Sequence, residues 1–415
     1  MADPLTLLSL RREGETRTAL VNGTTLLEYY TEGPEAQSQA GSLFIGRVER
    51  VLPDVRAAFV NIGPGHNAFL PLKESSSFHE RQGNASPRTG DEIIVQVKRD
   101  AHGTKGALVS RDIVLPGQYV LLLPMSGFIS ASRRVESESE RKKLIRRGHA
   151  LSGGEFGLIM RHAALFAKEA AIREEIASLR ALWQKLSEKA PAIKAPALLF
   201  QEASAAESLL RDYSARCDIR VKANYAPSGN SPAWETVSPE EAARLWQAAR
   251  VEAGLKAALR RVVPLSSGGS LVIDEREALH TIDVNTGSDV KAPEGMTLPL
   301  YENLNATPEI ARQIRLRNLS GIILVDFLDM SNDTERATVR EAMEKAVAED
   351  RVKTVIHGFT SLGLLEMTRR RTGDSLLSLH TESCGRCGGS GRAPRKETRE
   401  NQENPPSTDL DPNDC

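Results

Sequence analysis

The chain has 415 residues, 54 of them basic and 55 acidic, for a formal net charge of −1. That balance excludes binding driven by a global basic field, though not by a local basic face. No apolar run reaches the roughly 18 residues of a membrane span, the first ten residues do not resemble a signal peptide, and the length predicts about two to four domains. Four cysteines (Cys217, Cys384, Cys387 and Cys415) are too few for a disulfide scaffold in so long a chain, and they point to a reducing, cytoplasmic home.

In chain order, Arg17–Val21 and Thr25–Tyr30 flank Asn22-Gly23, a hairpin signature. The hairpin is too short to stand alone, so it should pair with strands from later in the chain. Leu43–Val48, Ala57–Ile62, Asn67–Leu72, Glu92–Val97 and the weaker Gly106–Ser110 read as short strands of a small barrel of the OB kind. Residues 74–88 read as an inserted loop. From Gly117 to about Ala215 the pattern is mixed α/β, with strands at Tyr119–Pro124 and Phe156–Arg161. Helices are expected at Glu138–Gly148, Lys168–Lys189 and Glu202–Arg211. A strand at Asp218–Val221 precedes one long helix, Pro239 to Val262, capped by Ser238.

Two apolar strands ending in carboxylate follow, around Leu279–Gly287 and Ile322–Met330. Between them Thr307-Pro308 reads as a helix start, and Asn318 and Gly321 end that helix. A charged helix at Asn332–Asp350 and strands at Val352–Ile356 and Gly363–Met367 complete the unit. Residues 393–415 are polar and should be disordered.

Asp283 and Asn285 lie two apart on a strand, so they share a face. Asp326 ends the apolar run Ile322–Val325, which reads as a buried central strand. Two strand-end carboxylates can hold one Mg²⁺, with water and phosphate oxygens filling its other positions. Asn285 would orient the carboxylate or the attacking water. Asp329 falls on the opposite face of a regular strand, so Asp326 is preferred. Alternatively these acids cap helices or pair with Arg315 and Arg317.

Cys384-Gly-Arg-Cys387 has the spacing of a zinc half-site, with a redox pair or a plain loop as alternatives. Cys217, Cys415 and His380 are poorly placed to finish a tetrahedron. Two chains giving two thiolates each would finish it and make a dimer. In the barrel, Phe59 and Phe69 are near Arg47, Lys73, Lys98 and Lys105 in sequence. They are either a stacking platform for single-stranded bases or core residues. Arg161, between a strand and a predicted helix, is either a phosphate ligand, joined by Gly117 and Arg133-Arg134, or a solvated side chain.

With these motifs read, the chain resembles the ribonuclease E/G family. The resemblance rests on Ile45-Gly-Arg-Val, Ala57–Gly63, Ala68–Lys73, Pro264–Ser270, Ile282–Gly287, Ile310–Gly321, Val325–Met330, Gly363–Arg369 and Cys384–Gly391, all in family order. It implies an α/β multidomain fold. Residues 1–37 and 217–263 would form an RNase H-like subdomain. An inserted S1-type RNA-binding OB barrel (38–115) and a 5′-sensor (116–216) would be followed by a DNase I-like catalytic subdomain (264–380), a zinc-link (381–392) and a disordered tail (393–415). It implies an Mg²⁺-dependent endoribonuclease that cuts single-stranded RNA and leaves 5′-phosphate and 3′-hydroxyl ends. Asp283 and Asp326 would bind Mg²⁺, with Asn285 on the first Asp. Phe59, Phe69 and Lys105 would contact RNA, and Gly117, Arg133, Arg161 and His162 would read a 5′-monophosphate. Cys384 and Cys387 would share Zn²⁺ across a homodimer.

The chain departs from the family pattern at His162 (Thr in the pattern), Leu121 (Val) and Gly385 (Pro). An imidazole can still donate to phosphate, and the thiolates are intact. Because the chain stops soon after the zinc-link, a dimer is expected rather than a tetramer. The alternative function, a non-catalytic RNA-binding factor using the barrel alone, leaves the two carboxylate motifs without a task. A structural zinc protein predicts no RNA affinity.

Overall fold

In the computed structural model, which describes residues 5–387 apart from 34–38, 64, 66, 73–85, 102–105, 136, 215–216, 228–232 and 288–290, the N-terminal alternation becomes three strands. They are β1 (Leu5–Arg12), β2 (Glu15–Asn22) and β3 (Thr25–Glu32). The next five are β4 (Leu43–Leu52), β5 (Ala57–Asn61), β6 (Ala68–Pro71), β7 (Glu92–Arg99) and β8 (Leu108–Ser110). They run β4-β5-β6-β8-β7, and β7 pairs back onto β4, so a five-stranded barrel closes without a free edge. Its interior holds Val48, Val60, Leu70, Val95 and Val109 among others. The inserted loop lies largely outside the described residues.

The mixed region contributes β9 (Leu115–Pro116), β10 (Val120–Leu123), β11 (Ile129–Ala131), α1 (Glu138–Ser152), β12 (Gly157–Met160), α2 (Glu169–Lys189), β13 (Ala197–Phe200) and α3 (Ala205–Tyr213). Four of these strands form a sheet ordered β11-β12-β10-β9, while β13 pairs with β4 and ties the region to the barrel. The chain then returns to its start. Strand β14 (Ile219–Ala223) pairs in parallel with β1, and β15 (Trp234–Thr236) pairs with β14. The hairpin itself, β2 and β3, pairs with β1 before it rather than with a later strand, and it is β1 that meets the returning β14.

The single helix expected over Pro239–Val262 is two, α4 (Pro239–Ala248) and α5 (Val251–Ala258), and the chain goes on into β16 (Val262–Pro264). Arg250 breaks the helix at φ 53°. Trp246, Ala249, Val251 and Leu255 all enter one core. Their spacings of three, two and four residues do not fit one straight helix face, so the axis must turn.

The last sheet holds β16, β17 (Ser270–Glu275), β18 (His280–Asn285), β19 (Gly321–Asp326), β20 (Thr354–Phe359) and β21 (Leu365–Arg369), in the order β16-β17-β18-β19-β21-β20. The crossover from β18 to β19 is α6 (Leu298–Leu316), and α7 (Asp333–Ala348) follows β19. Helix α6 starts ten residues before the expected Thr307-Pro308, with Thr297 rather than Thr307 as its cap, and Pro308 lies inside it. A proline there removes the N–H that would reach the Leu304 carbonyl. The Thr307 hydroxyl donates to that carbonyl instead, at 3.0 Å, which lets the helix pass through. A short helix, α8 (Leu376–His380), leads toward the cysteine pair.

Candidate active site

The core of the last sheet is one-sided. Ile282, Val284, Ile323 and Val325 are buried with Ile310 and Ile314 of α6. Each such burial contributes about 1.5–3 kcal/mol, which anchors β18 and β19 side by side. The strand expected to be buried on both faces is not: Ile322 is 49% exposed and Leu324 half-buried. Helices cover one face only, so the alternate residues look out. Asp283, Asn285 and Asp326 are on this open face.

Strands β18 and β19 run parallel with Asp283 directly opposite Asp326. The Asn285 Nδ2 donates to Asp283 Oδ2 at 2.8 Å, which holds that carboxylate in orientation. The Asp326 carboxyl is raised above the usual range by partial burial, by Asp283 and by Asp329. Like charges held this close oppose ionisation, and a divalent cation between them reverses the effect. The donor set fits Mg²⁺, a hard ion that takes oxygen ligands and keeps several waters. Among the described residues no group of three His, Cys, Asp or Glu could hold a metal, so protein would supply two carboxylates and leave positions for water and phosphate. The alternative pairings are not made. Arg315 is directed to Glu28, and Arg317 to Gln313 and the Arg260 carbonyl.

Three contributors were not anticipated. Asp329 bears on Asp326 because the strand ends at Asp326 and regular alternation stops there. Asn303, fully buried in α6, donates to the Leu328 carbonyl at 2.9 Å and accepts from the Leu328 N–H at 3.0 Å. It thereby clamps the turn that carries Asp329. Arg261, exposed, forks onto Asp274 at 2.8 and 2.7 Å and lies near enough to Asp283 to be raised in part by it. No spacing rule links 261 to 283 or 303 to 328.

In the barrel, Phe59 and Phe69 are register partners with rings 6.1 Å apart, edge to face. Both lie outside the core cluster, and Phe69 is 36% exposed, so the pair is a surface feature. Arg47 is committed to Glu92 at 2.8 Å, whereas Lys73 and Lys105 lie outside the described residues.

Arg161 donates to the Gly117 carbonyl at 2.6 Å and to Asp212 at 2.7 Å. The helix expected after it forms as α2 but begins only at Glu169, and directly after Arg161 comes a four-residue 3₁₀ turn, too short for a useful dipole, so any anion affinity here falls to the guanidinium itself. Gly117 donates to Val120 O, and a side chain there would strike the Glu175 carboxylate, which accepts the N–H groups of Gln118, Tyr119 and Val120. His162 is exposed and packs edge-on against Phe166 at 5.3 Å, while Arg133 is exposed beyond β11. Leu121 lines a cleft of about 920 Å³ together with Tyr30, Asp212 and Arg351.

Cys384 and Cys387 flank a turn and are half-buried. His380 does not join them, since its ring packs on Tyr29 at 5.5 Å. Two thiolates are half of a tetrahedral zinc set, which fits the metal only with ligands from outside the described residues of one chain. Cys415 and residues 393–415 are not among those residues.

A family model described as the ribonuclease E/G family matches residues 114–372. The chain is 36% identical over 396 residues to a protein named ribonuclease G of Escherichia coli (strain K12), covering 90% of this chain and 81% of that one. It is 33% identical to a ribonuclease G of Haemophilus influenzae, covering 93% and 83%. Against a ribonuclease E of Nostoc sp. the identity is 35%, covering 84% of this chain and 54% of the relative.

Proposed function

Because the chain belongs to the ribonuclease E/G family, we propose that this endoribonuclease hydrolyses single-stranded RNA internally with Mg²⁺, leaving a 5′-phosphate and a 3′-hydroxyl. The observation that carries the reading is the Asp283–Asp326 pair, two exposed carboxylates in register whose mutual repulsion a cation would relieve. Mg²⁺ bound there would polarise a phosphate oxygen as a Lewis acid and lower the pKa of a water. Asn285 keeps one Asp283 oxygen engaged, which would leave the other to the ion. Arg261 supplies positive charge on the same face for the phosphodiester.

The rest of the molecule brings RNA to that edge. Phe59 and Phe69 stack bases as the platform of an S1-type barrel, with Lys105 on the backbone. Residues 116–216 read the 5′ end, with Arg161, His162, Gly117 and Arg133 around a monophosphate. The sheet from 1–37 and 217–263 is an RNase H-like support, and the Asp283–Asp326 sheet is DNase I-like. Cys384 and Cys387 share Zn²⁺ with the same pair of a second copy, giving a homodimer. Cysteine usage favours the cytoplasm, and no helix among the described residues is long and apolar enough to cross a membrane.

The test is cleavage of a short A/U-rich RNA with Mg²⁺, wild type beside Asp326→Asn. Internal cuts with 5′-phosphate products from wild type, and binding without cutting from the variant, are expected. A folded wild type that binds but never cuts, or cuts equally in chelator, overturns the reading.

A further inference from the structure

The cleft lined by Leu121 lies where the 116–216 region, the barrel, the hairpin sheet and the catalytic unit meet. On its wall the Asp212 carboxylate is shared. One oxygen is 2.7 Å from Arg161 and the other 3.6 Å from Arg351, just beyond α7 in the catalytic unit. Arg351 continues to Glu28 of β3 at 3.5 Å and stacks over Tyr30. Glu28 is 1% exposed and also takes the hydroxyls of Tyr30 and Tyr213 and the charge of Arg315, on α6. One residue before Arg351, Asp350 pairs with Arg369 of β21, the strand hydrogen-bonded to β19. Arg134 of the 116–216 region donates to the Asp350 carbonyl at 2.7 Å.

Resting on the reading of Arg161 as the 5′-phosphate ligand, we propose that Asp212 is a positioning residue that joins the 5′-end pocket to the catalytic sheet, aiming Arg161 from one carboxylate oxygen while Arg351 anchors the other. A guanidinium has five N–H donors in one plane. Anchored to Gly117 O and Asp212, Arg161 is held in that plane with its remaining N–H groups available for a phosphate dianion. Asp212 is not a competitor to be expelled, because both its oxygens are committed, one of them to a different structural unit. A shift of Arg161 on binding phosphate is therefore felt at Arg351, and through Asp350 and Arg369 at the sheet that carries Asp326. The link is a discrete set of ion pairs, so it is open to mutation.

The experiment measures kcat and KM on one RNA with a 5′-monophosphate or a 5′-hydroxyl. The proteins are wild type, Arg161→Gln, Asp212→Asn, Asp212→Glu and Arg351→Met, all checked by thermal melting. Asp212→Asn should bring the ratio of kcat/KM for the two RNAs at least about five-fold closer to one, as Arg161→Gln does, and Asp212→Glu should restore part of it. Arg351→Met should lower the same ratio although it does not touch Arg161, a result that loss of folding alone would not give, since both RNAs would suffer equally. A wild-type preference lost in Arg161→Gln but kept in both Asp212→Asn and Arg351→Met overturns the link and leaves the sensor. A ratio of one in the wild type overturns both. A rise in the ratio for Asp212→Asn makes Asp212 a competitor and also overturns the proposal.

Discussion

The Asp283–Asp326 edge and the surroundings of Arg161 are both built from charge, in opposite ways. At the edge, burial, Asp283 and Asp329 all oppose ionisation of Asp326. Around Arg161 each charge has an opposite neighbour: Arg161 with Asp212, Asp212 with Arg351, Arg351 with Glu28. Burial works against the charge of Arg351, but Tyr30, Glu28 and Asp212 outweigh it and raise its pKa. The first site holds repulsion that the proposed cation would relieve. The second is paired and preformed, so a ligand there would gain from orientation rather than from relief of repulsion.

The largest effect should come from breaking the repulsive site. Removing one ligand of a metal that stabilises the transition state by several kcal/mol should cost Asp326→Asn at least about 10³-fold in kcat, with RNA affinity retained by filter binding. Phe69→Ala, which changes no charge in either site, should weaken RNA binding by roughly ten-fold in fluorescence anisotropy while sparing kcat at saturation. The comparison then sharpens into opposite signs of stability. Asp212→Asn strands two guanidinium groups and should destabilise the protein by about 2 kcal/mol in urea unfolding.

Asp326→Asn should do the reverse in metal-free protein. A carboxyl whose folded pKa is raised favours folding while protonated, and that advantage is lost as pH rises through the raised pKa. At neutral pH the variant removes the penalty, so a small rise in melting temperature is expected, and the variant should lack the stabilisation by Mg²⁺ that is expected of wild type. The smallest effect is on pH. As pH falls toward the raised pKa of Asp326, above the ordinary 3.8, protons compete with the ion and the Mg²⁺ concentration for half activity should climb. If that concentration holds steady through the window, the two sites do not differ as described.

Much of this was legible from local pattern. Short β-type runs between Gly-rich turns placed the barrel strands within a few residues, and Asn22-Gly23 marked the hairpin. The strand-end acids stood out because Ile282 and Val284 on one side and Asp283 and Asn285 on the other are separated by the strand period itself. Helix limits were less legible where tertiary packing overruled a local signal. Pro308 reads as a start, yet Thr307 repairs the lost hydrogen bond, and only the core behind Trp246 and Val251 required the turn at Arg250.

The sequence by itself determined which residues are candidates for the chemistry, because strand period, CxxC spacing and turn residues act within a few positions along the chain. Only the tertiary structure decided which charges meet. Asp212 reaches Arg351, Glu28 reaches Arg315 and Asn303 clamps Leu328 across separations that no periodicity encodes. Such pairs form where packed elements place them, and at close range a neighbour's charge sets whether a carboxylate repels, orients or binds.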